Sequence, residues 1–281
     1  MSDVIAFIGG GNMAASLIGG LIAAQHPAGR IRVAEPDLAR AQSLREHFGV
    51  SVLAAAAPML DGVDTLVLAV KPQQMAVALQ GLQVAPGTCV VSIAAGIRLE
   101  LLQGLLGPQA HYVRSMPNTP ALYGAGISGL YASPQTPDSA RARAETVLRA
   151  AGEICWLARE EDLDAVTAVS GSGPAYFFLV VEAMTDAGIA LGLSAETAAR
   201  LAKRTCIGAA RMLDAGGADA ADAAELRTQV TSKGGTTEAA LRQLESAGLR
   251  PMFQAALAAA AQRSAQLGDE LAHNAAPPPS Y

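Results

Sequence analysis

Apolar residues come in short blocks through the first half of the chain and in long helical repeats beyond residue 160. The blocks at 4–8, 31–34, 51–53, 64–70, 88–93, 111–114 and 153–157 are branched, apolar and of strand length. Apolar positions three to four apart predict helices near 12–25, 37–47, 73–81 and 137–150. Alternation of this kind reads as a parallel sheet covered by helices on both faces. The expected fold is therefore α/β: an N-terminal doubly wound parallel sheet over 1–158, then a smaller all-helical domain over 159–272. Within the second part, 174–191 is apolar on nearly every helical face, the mark of a helix buried all round. A domain of that size can hardly enclose it, so a second copy of the chain is expected to cover it. Pro277-Pro278-Pro279 marks 273–281 as an expected disordered tail.

Composition narrows the choice of ligands. The chain has 281 residues and a formal net charge of −5, and its only lysines are Lys71, Lys203 and Lys233. Nucleic acid and anionic lipid are thereby disfavoured, and a small molecule is expected. Cys89, Cys155 and Cys206 are far apart and mostly in apolar surroundings, which suits buried thiols in a reducing, cytoplasmic setting. The histidines at 26, 47, 111 and 273 have no zinc spacing, and no metal is expected. Residues 4–24 carry no charge, yet Met1-Ser2-Asp3 supplies no positive flank and Gly9 to Asn12 interrupts the apolar run, so neither a signal peptide nor a membrane span is expected.

The most informative segment is the first strand with its turn, Ile8-Gly9-Gly10-Gly11-Asn12-Met13-Ala14. The spacing G-x-G-x-x-A between a strand and a helix is the small-residue form of the Rossmann-like dinucleotide fingerprint. Gly9 permits the tight turn, Gly11 leaves room for a pyrophosphate, and Ala14 lets the helix pack close while its first amides face the anion. Asn12 and Met13 complete the turn. Glu35, at the end of the second strand, is placed to accept hydrogen bonds from an adenosine ribose and to repel a 2′-phosphate, with Arg32 or Arg40 to offset it; a solvated acid beside the helix cap Asp37 fits equally.

Three further segments follow. Ala69-Val70-Lys71-Pro72 leaves a buried strand where doubly wound sheets hold ligands, and Lys71 fits both a cofactor contact and a lysine snorkelling at the strand edge. Met116-Pro117-Asn118-Thr119-Pro120 is a stiff turn in which Asn118 can offer an amide. Ser170 to Tyr176 and Val230 to Thr237 read as two hydroxyl-and-glycine loops opening helices, suited to an anion or to plain helix capping.

Taken together, in order and spacing, these motifs resemble the pyrroline-5-carboxylate reductase family over nearly the whole chain. The resemblance implies hydride transfer from NADPH or NADH to the C=N carbon of 1-pyrroline-5-carboxylate, giving L-proline in the last step of proline biosynthesis. It implies that the helical domain, 159–272, serves dimerisation and substrate binding in a homodimer or decamer. It also implies that Ser232, Gly234, Gly235, Thr236 and Thr237 hold the substrate carboxylate, and that Thr167 donates to the imine nitrogen. The chain departs from the family's usual pattern at Lys233, where proline is common, at Ala54 to Ala57, where an asparagine near the ribose is common, and at Glu35.

Two rivals are weaker. A β-hydroxyacid dehydrogenase shares the two-domain plan but resembles a family that relies on a lysine early in the second domain, and no lysine lies between Lys71 and Lys203. A non-catalytic dinucleotide sensor would need neither hydroxyl-and-glycine loop.

Overall fold

The computed structural model describes residues 3–215 and 222–275. They divide into two compact units, one running to Ser172 and resuming at Ala258, the other Gly173–Leu257. The compositional change at 158/159 thus falls a short helix before the first cut.

The first unit is built on an eight-stranded sheet in the order β3-β2-β1-β4-β5-β6-β7-β8. Its strands are β1 (Ile5–Ile8), β2 (Ile31–Ala34), β3 (Ser51–Leu53), β4 (Thr65–Leu68), β5 (Cys89–Ser92), β6 (His111–Met116), β7 (Gly126–Ala132) and β8 (Gly152–Trp156). Strands β1 to β6 run parallel, β7 pairs antiparallel with β6, and β8 is parallel to β7. Because side chains alternate along a strand, β1 feeds two apolar layers. Phe7 joins Leu17, Ile18, Val33 and Leu148 on one face, and Ile8 joins Leu66, Leu68, Leu79 and Leu102 on the other. Helices α1 (Asn12–Ala23), α2 (Leu38–Phe48), α3 (Met75–Leu79), α4 (Leu99–Leu106) and α5 (Asp138–Arg149) cover these layers.

The sheet is not wholly parallel, as the pattern predicted, because β7 reverses the direction. That strand carries two glycines, which mute a strand signal, and packing explains both. A Cβ on Gly126 would lie 2.8 Å from the Ala151 carbonyl oxygen, and one on Gly129 would lie 2.9 Å from Val166 Cγ1. The helix expected at 73–81 shrinks to a 3-10 turn at Pro72–Gln74 and α3. Helix α4 was not among the expected helices, although Leu99, Leu102 and Leu106 bury one stripe of it.

Beyond the sheet, α6 (Asp162–Val166) leads through a π-turn at Thr167–Gly171 into α7 (Gly173–Ala190). Ser170 to Gly173 is therefore helical, not an open loop: the Ser172 N–H donates to the Thr167 carbonyl at 2.8 Å. The remaining helices are α8 (Ala195–Asp214), α9 (Ala223–Gln229), α10 (Thr236–Ser246) and α11 (Leu249–Ala275). In the second unit α7 lies along α8, and the Tyr176 ring meets Phe253 edge-on at 6.4 Å. Phe177, Phe178 and Leu179 of α7 are 64–67% exposed, so the single chain does not cover this helix. By length and composition alone, Asp162–Ala190 also passes as a membrane-crossing helix, a test that the core helix of an oligomer passes equally.

The far part of α11 belongs to the first unit. Gly268 packs so close to Gly96 that a Cβ on Gly96 would lie 3.1 Å from the Gly268 nitrogen. Ser264 donates to Asp164 at 2.6 Å, and Arg98 pairs with Asp269 at 2.7 Å. The tail expected from 273 is helical to Ala275, and 276–281 lie outside the described residues.

Candidate active site

Strand order reverses between β1 and β4, the place where open parallel sheets bind ligands beyond the carboxyl ends of their strands. Gly9 leaves β1 with φ +97°, the left-handed region that favours glycine, and donates to the Ala34 carbonyl at 2.9 Å. A Cβ here would lie 2.7 Å from the Ala69 carbonyl oxygen, so close approach also requires glycine. Gly11 is the N-cap of α1, with φ −68° and ψ −179°. No protein atom lies within 4 Å of where its Cβ would be. The space beside it is open toward the first amides of α1, which leaves room for an anion there. Ala14 is fully buried one turn on, and the exposed Asn12 sits at the helix mouth. Met13 packs against the sheet core.

A groove of about 710 Å³ opens there, lined by Gly9, Gly11, Glu35, Arg40, Val70 and Lys71, among others. Ala69 lines it too, and Pro72 starts the 3-10 turn beneath Lys71. Lys71 has φ −61° and ψ 144°, the extended form that a following proline imposes, and its side chain is exposed. Ala54, Ala55 and Ala56 give the groove a wall with no polar side chain.

Glu35 lines the groove but is only 6% exposed. Oε2 accepts the Gly10 N–H and Oε1 the Asp37 N–H, both at 2.9 Å, and Arg40 lies 3.9 Å from Oε2. The carboxylate thus ties the glycine turn to the start of α2 while still facing the groove. Asp37 caps α2 through the Arg40 N–H at 2.9 Å. Arg32 is committed elsewhere, donating to the carbonyls of Met59 and Asp61 at 2.8 and 2.6 Å. Arg40 is therefore the groove's cation at this end. Asn118 is 8% exposed, and its Oδ1 accepts the Ile127 N–H at 3.0 Å, which ties the stiff turn to β7 and orients the side-chain amide.

Thr167 opens the π-turn, and its hydroxyl donates to the Leu163 carbonyl at 2.8 Å. With the proton engaged, the oxygen's free lone pairs suit an incoming donor. π-Turns inside helices are frequent at functional positions.

In the second unit the other loop is a cradle. Gly234 has φ +74°, and Gly235, the N-cap of α10, donates to the Ser232 carbonyl at 3.0 Å. A Cβ on Gly235 would lie 2.4 Å from Ser232 Oγ, so the hydroxyl rests against the helix mouth. The N-cap of α10 is Gly235, which has no side chain, so neither Thr236 nor Thr237 holds the N-cap position. The first-turn amides of Thr236, Thr237 and Glu238 have no intrahelical carbonyl to bond. Glu238 was not singled out from the sequence, yet its Oε2 accepts the Gly234 N–H at 2.6 Å. The third-position acid after a Ser/Thr-Gly turn was the available signal. Among the described residues, no cluster of His, Cys, Asp and Glu side chains is arranged to hold a metal ion.

Residues 160–267 match the family model for pyrroline-5-carboxylate reductase dimerisation, and residues 4–96 match that for coenzyme F420-dependent NADP oxidoreductases. The pyrroline-5-carboxylate reductase of Pseudomonas aeruginosa is 48% identical over 269 residues, spanning 95% of this chain and 97% of that protein. That of Pasteurella multocida is 41% identical over 94% of this chain and 97% of its own length. Among solved structures, the Coxiella burnetii pyrroline-5-carboxylate reductase superposes with TM-score 0.86 at 37% identity, covering 95% of this chain and 99% of the other. The Plasmodium falciparum enzyme with NADP bound superposes with TM-score 0.77 at 25% identity, covering 95% and 98%.

Proposed function

The chain belongs to the pyrroline-5-carboxylate reductase family, and from that premise we propose that it reduces 1-pyrroline-5-carboxylate to L-proline, the last step of proline biosynthesis, with NADPH or NADH. When bound, the dinucleotide supplies the hydride; the C=N electron pair moves to a nitrogen that already carries its proton, and a secondary amine results. A protonated cyclic imine is electrophilic in itself, so positioning supplies much of the rate.

The observation that carries the cofactor half of this reading is Gly11, a helix N-cap with open space where a side chain would stand. Gly11, Asn12, Met13 and Ala14 then present amides to the pyrophosphate, and Gly9, whose own N–H is given to Ala34, makes the turn that aims them. Ala69, Val70, Lys71, Pro72 and Asn118 lie along the path from strand ends to the reacting ring, and Glu35 faces the ribose. Its buried carboxylate on that side of the groove shifts preference toward NADH compared with relatives that lack the acid, moderated by Arg40.

Ser232, Gly234, Gly235, Thr236 and Thr237 hold the substrate carboxylate, where helix-mouth amides and free hydroxyls replace its lost hydration. Thr167 faces the imine nitrogen. Because its own proton goes to Leu163, it accepts from the iminium N–H, the reverse of the donation that the resemblance implied, and so favours the protonated, reactive form. The dimerisation region, with its exposed apolar α7, makes the working species at least a homodimer. Three unpaired thiols fit a cytoplasmic enzyme, although only Cys89, on a central strand, is buried as expected: Cys155 on the edge strand β8 is exposed and Cys206 half-buried. Oxidation of NADPH and of NADH, followed separately with 1-pyrroline-5-carboxylate, tests the reading; no oxidation of either cofactor overturns it.

A further inference from the structure

The loop assigned to the substrate carboxylate already holds a carboxylate of the chain's own. Glu238, in the first turn of α10, bends back so that Oε2 accepts the Gly234 N–H at 2.6 Å. A capping-box acid at this position takes the N–H of the N-cap residue. Here the N-cap is Gly235, whose N–H is given to Ser232, and Glu238 reaches one residue further. The same oxygen lies 3.8 Å from Nη2 of Arg242, one turn along the exposed side of α10. One carboxylate therefore has two partners within reach, one inside the cradle and one outside it.

We propose that Glu238 sets the affinity of this loop for carboxylate ligands: it fills the loop when no substrate is present and crosses to Arg242 when the substrate's carboxylate enters. The proposal rests on the placement of that carboxylate at Ser232 to Thr237. A helix mouth carries roughly half a positive charge, enough to favour one anion and not two. A second carboxylate arriving beside Glu238 meets like-charge repulsion unless Glu238 leaves, and Arg242 gives it somewhere to go. Glu238 is in this sense a specificity-determining residue. It holds Gly234 N–H in place for the incoming ligand and weakens binding of that ligand by competing for the same donor.

Glu238→Gln keeps an oxygen that can accept from Gly234 and removes the charge. The expected result at low ionic strength is a KM for 1-pyrroline-5-carboxylate and an inhibition constant for L-proline both about 5-fold lower, the ratio for like charges about 5 Å apart near water. The difference shrinks in about 0.5 M salt, where exposed charges are screened. Inhibition by uncharged-tail L-prolinamide does not change. Arg242→Met, which removes the alternative partner, raises KM. Thermal melting of each variant establishes that it is folded. A raised KM in Glu238→Gln, or equal shifts for L-proline and L-prolinamide, makes Glu238 a brace of the loop and overturns the proposal. An unchanged KM in Glu238→Gln with a raised KM in Thr237→Ala overturns it while leaving the carboxylate placement standing. Unchanged KM in both variants overturns the placement as well.

Discussion

Glu35 Oε2 accepts the amide N–H of Gly10 at 2.9 Å, joining the end of β2 to the glycine turn across 25 positions of sequence. This acid both shapes the turn and charges the groove. In Glu35→Ser the ratio of kcat/KM with NADPH to that with NADH rises, because the negative charge near the ribose is gone. The same variant loses stability by about 1–3 kcal/mol, since two backbone amides lose an ionised acceptor. Steady-state kinetics with each cofactor and thermal melting read the two effects separately. An unchanged ratio limits Glu35 to bracing the turn.

Gly9 and Gly11 separate folding from binding. Gly9→Ala forces a side chain into the Ala69 carbonyl at positive φ, so the expected result is poor folding. The Cβ of Gly11→Val enters open space and the backbone there has negative φ, so the expected result is a surviving fold with about 1 kcal/mol lost at the cap. Its dissociation constant for the dinucleotide rises more than about 10-fold, because the branched side chain occupies the pyrophosphate position. Calorimetric titration and melting curves check both; full cofactor affinity in folded Gly11→Val contradicts the assignment of the groove.

Thr237→Ala lowers kcat/KM about 10–150-fold, the value of one hydrogen bond to a charged group. The loss sits mainly in KM, since the carboxylate is held alike before and during hydride transfer. Thr167→Ala does the reverse, with kcat falling more than KM rises, because its contact with nitrogen matters most as the hydride arrives. Wild-type KM and kcat in folded Thr237→Ala make the loop a structural turn alone.

Three consecutive large apolar residues of α7, each about two-thirds exposed in the single chain, predict a stable dimer or larger assembly at low micromolar concentration. Sedimentation velocity reports it directly. Phe178→Asp shifts the distribution toward smaller, aggregation-prone species, and a folded, active wild-type monomer at the same concentration refutes the assignment.

Burial pushes the His26 pKa below its ordinary value, with Arg30 adding to the effect and Asp3 opposing it. Its Nε2 is buried without a hydrogen-bond partner among the described residues. The unfolded chain therefore binds a proton here more readily than the folded one. Stability from this residue is fully present above its unfolded pKa of about 6.5 and declines as pH falls below it. Between pH 7 and 5, His26→Gln loses less stability than the wild-type chain, as chemical denaturation at each pH measures. Parallel stability curves for the two proteins rule out this coupling.

The sheet was legible in the sequence where strands are continuous branched runs, because burial on both faces demands such runs: β1, β2, β4 and β5 lie where the pattern put them. Strand β7 was not legible, since Gly126 answers to Ala121 and Ala151 and Gly129 to Val166, contacts made only in the folded chain, and not to strand propensity. At the site, Gly9 and Gly11 could be read because the ligand itself dictates their spacing. The commitment of Asn118 to Ile127 and of Arg32 to the carbonyls of Met59 and Asp61 could not, because each depends on where a distant backbone group comes to rest. Ser170 to Gly173 misled for a local reason: small polar residues that usually break a helix here widen it into a π-turn.

The close approach of Gly268 to Gly96 bears on how the protein is made. The first unit is assembled from both ends of the chain, and its contacts with residues beyond Ala258 include the Ser264 bond to Asp164 and the Arg98 pair with Asp269. A ribosome that has released only the first 172 residues has released an incomplete nucleotide unit, with the Gly96 turn bare and Asp164 without its serine. Completion waits until α11 has been made, so the seating of that helix on the Gly96 turn comes after the whole of the second unit has been synthesised, and the first unit cannot close its last contacts before then.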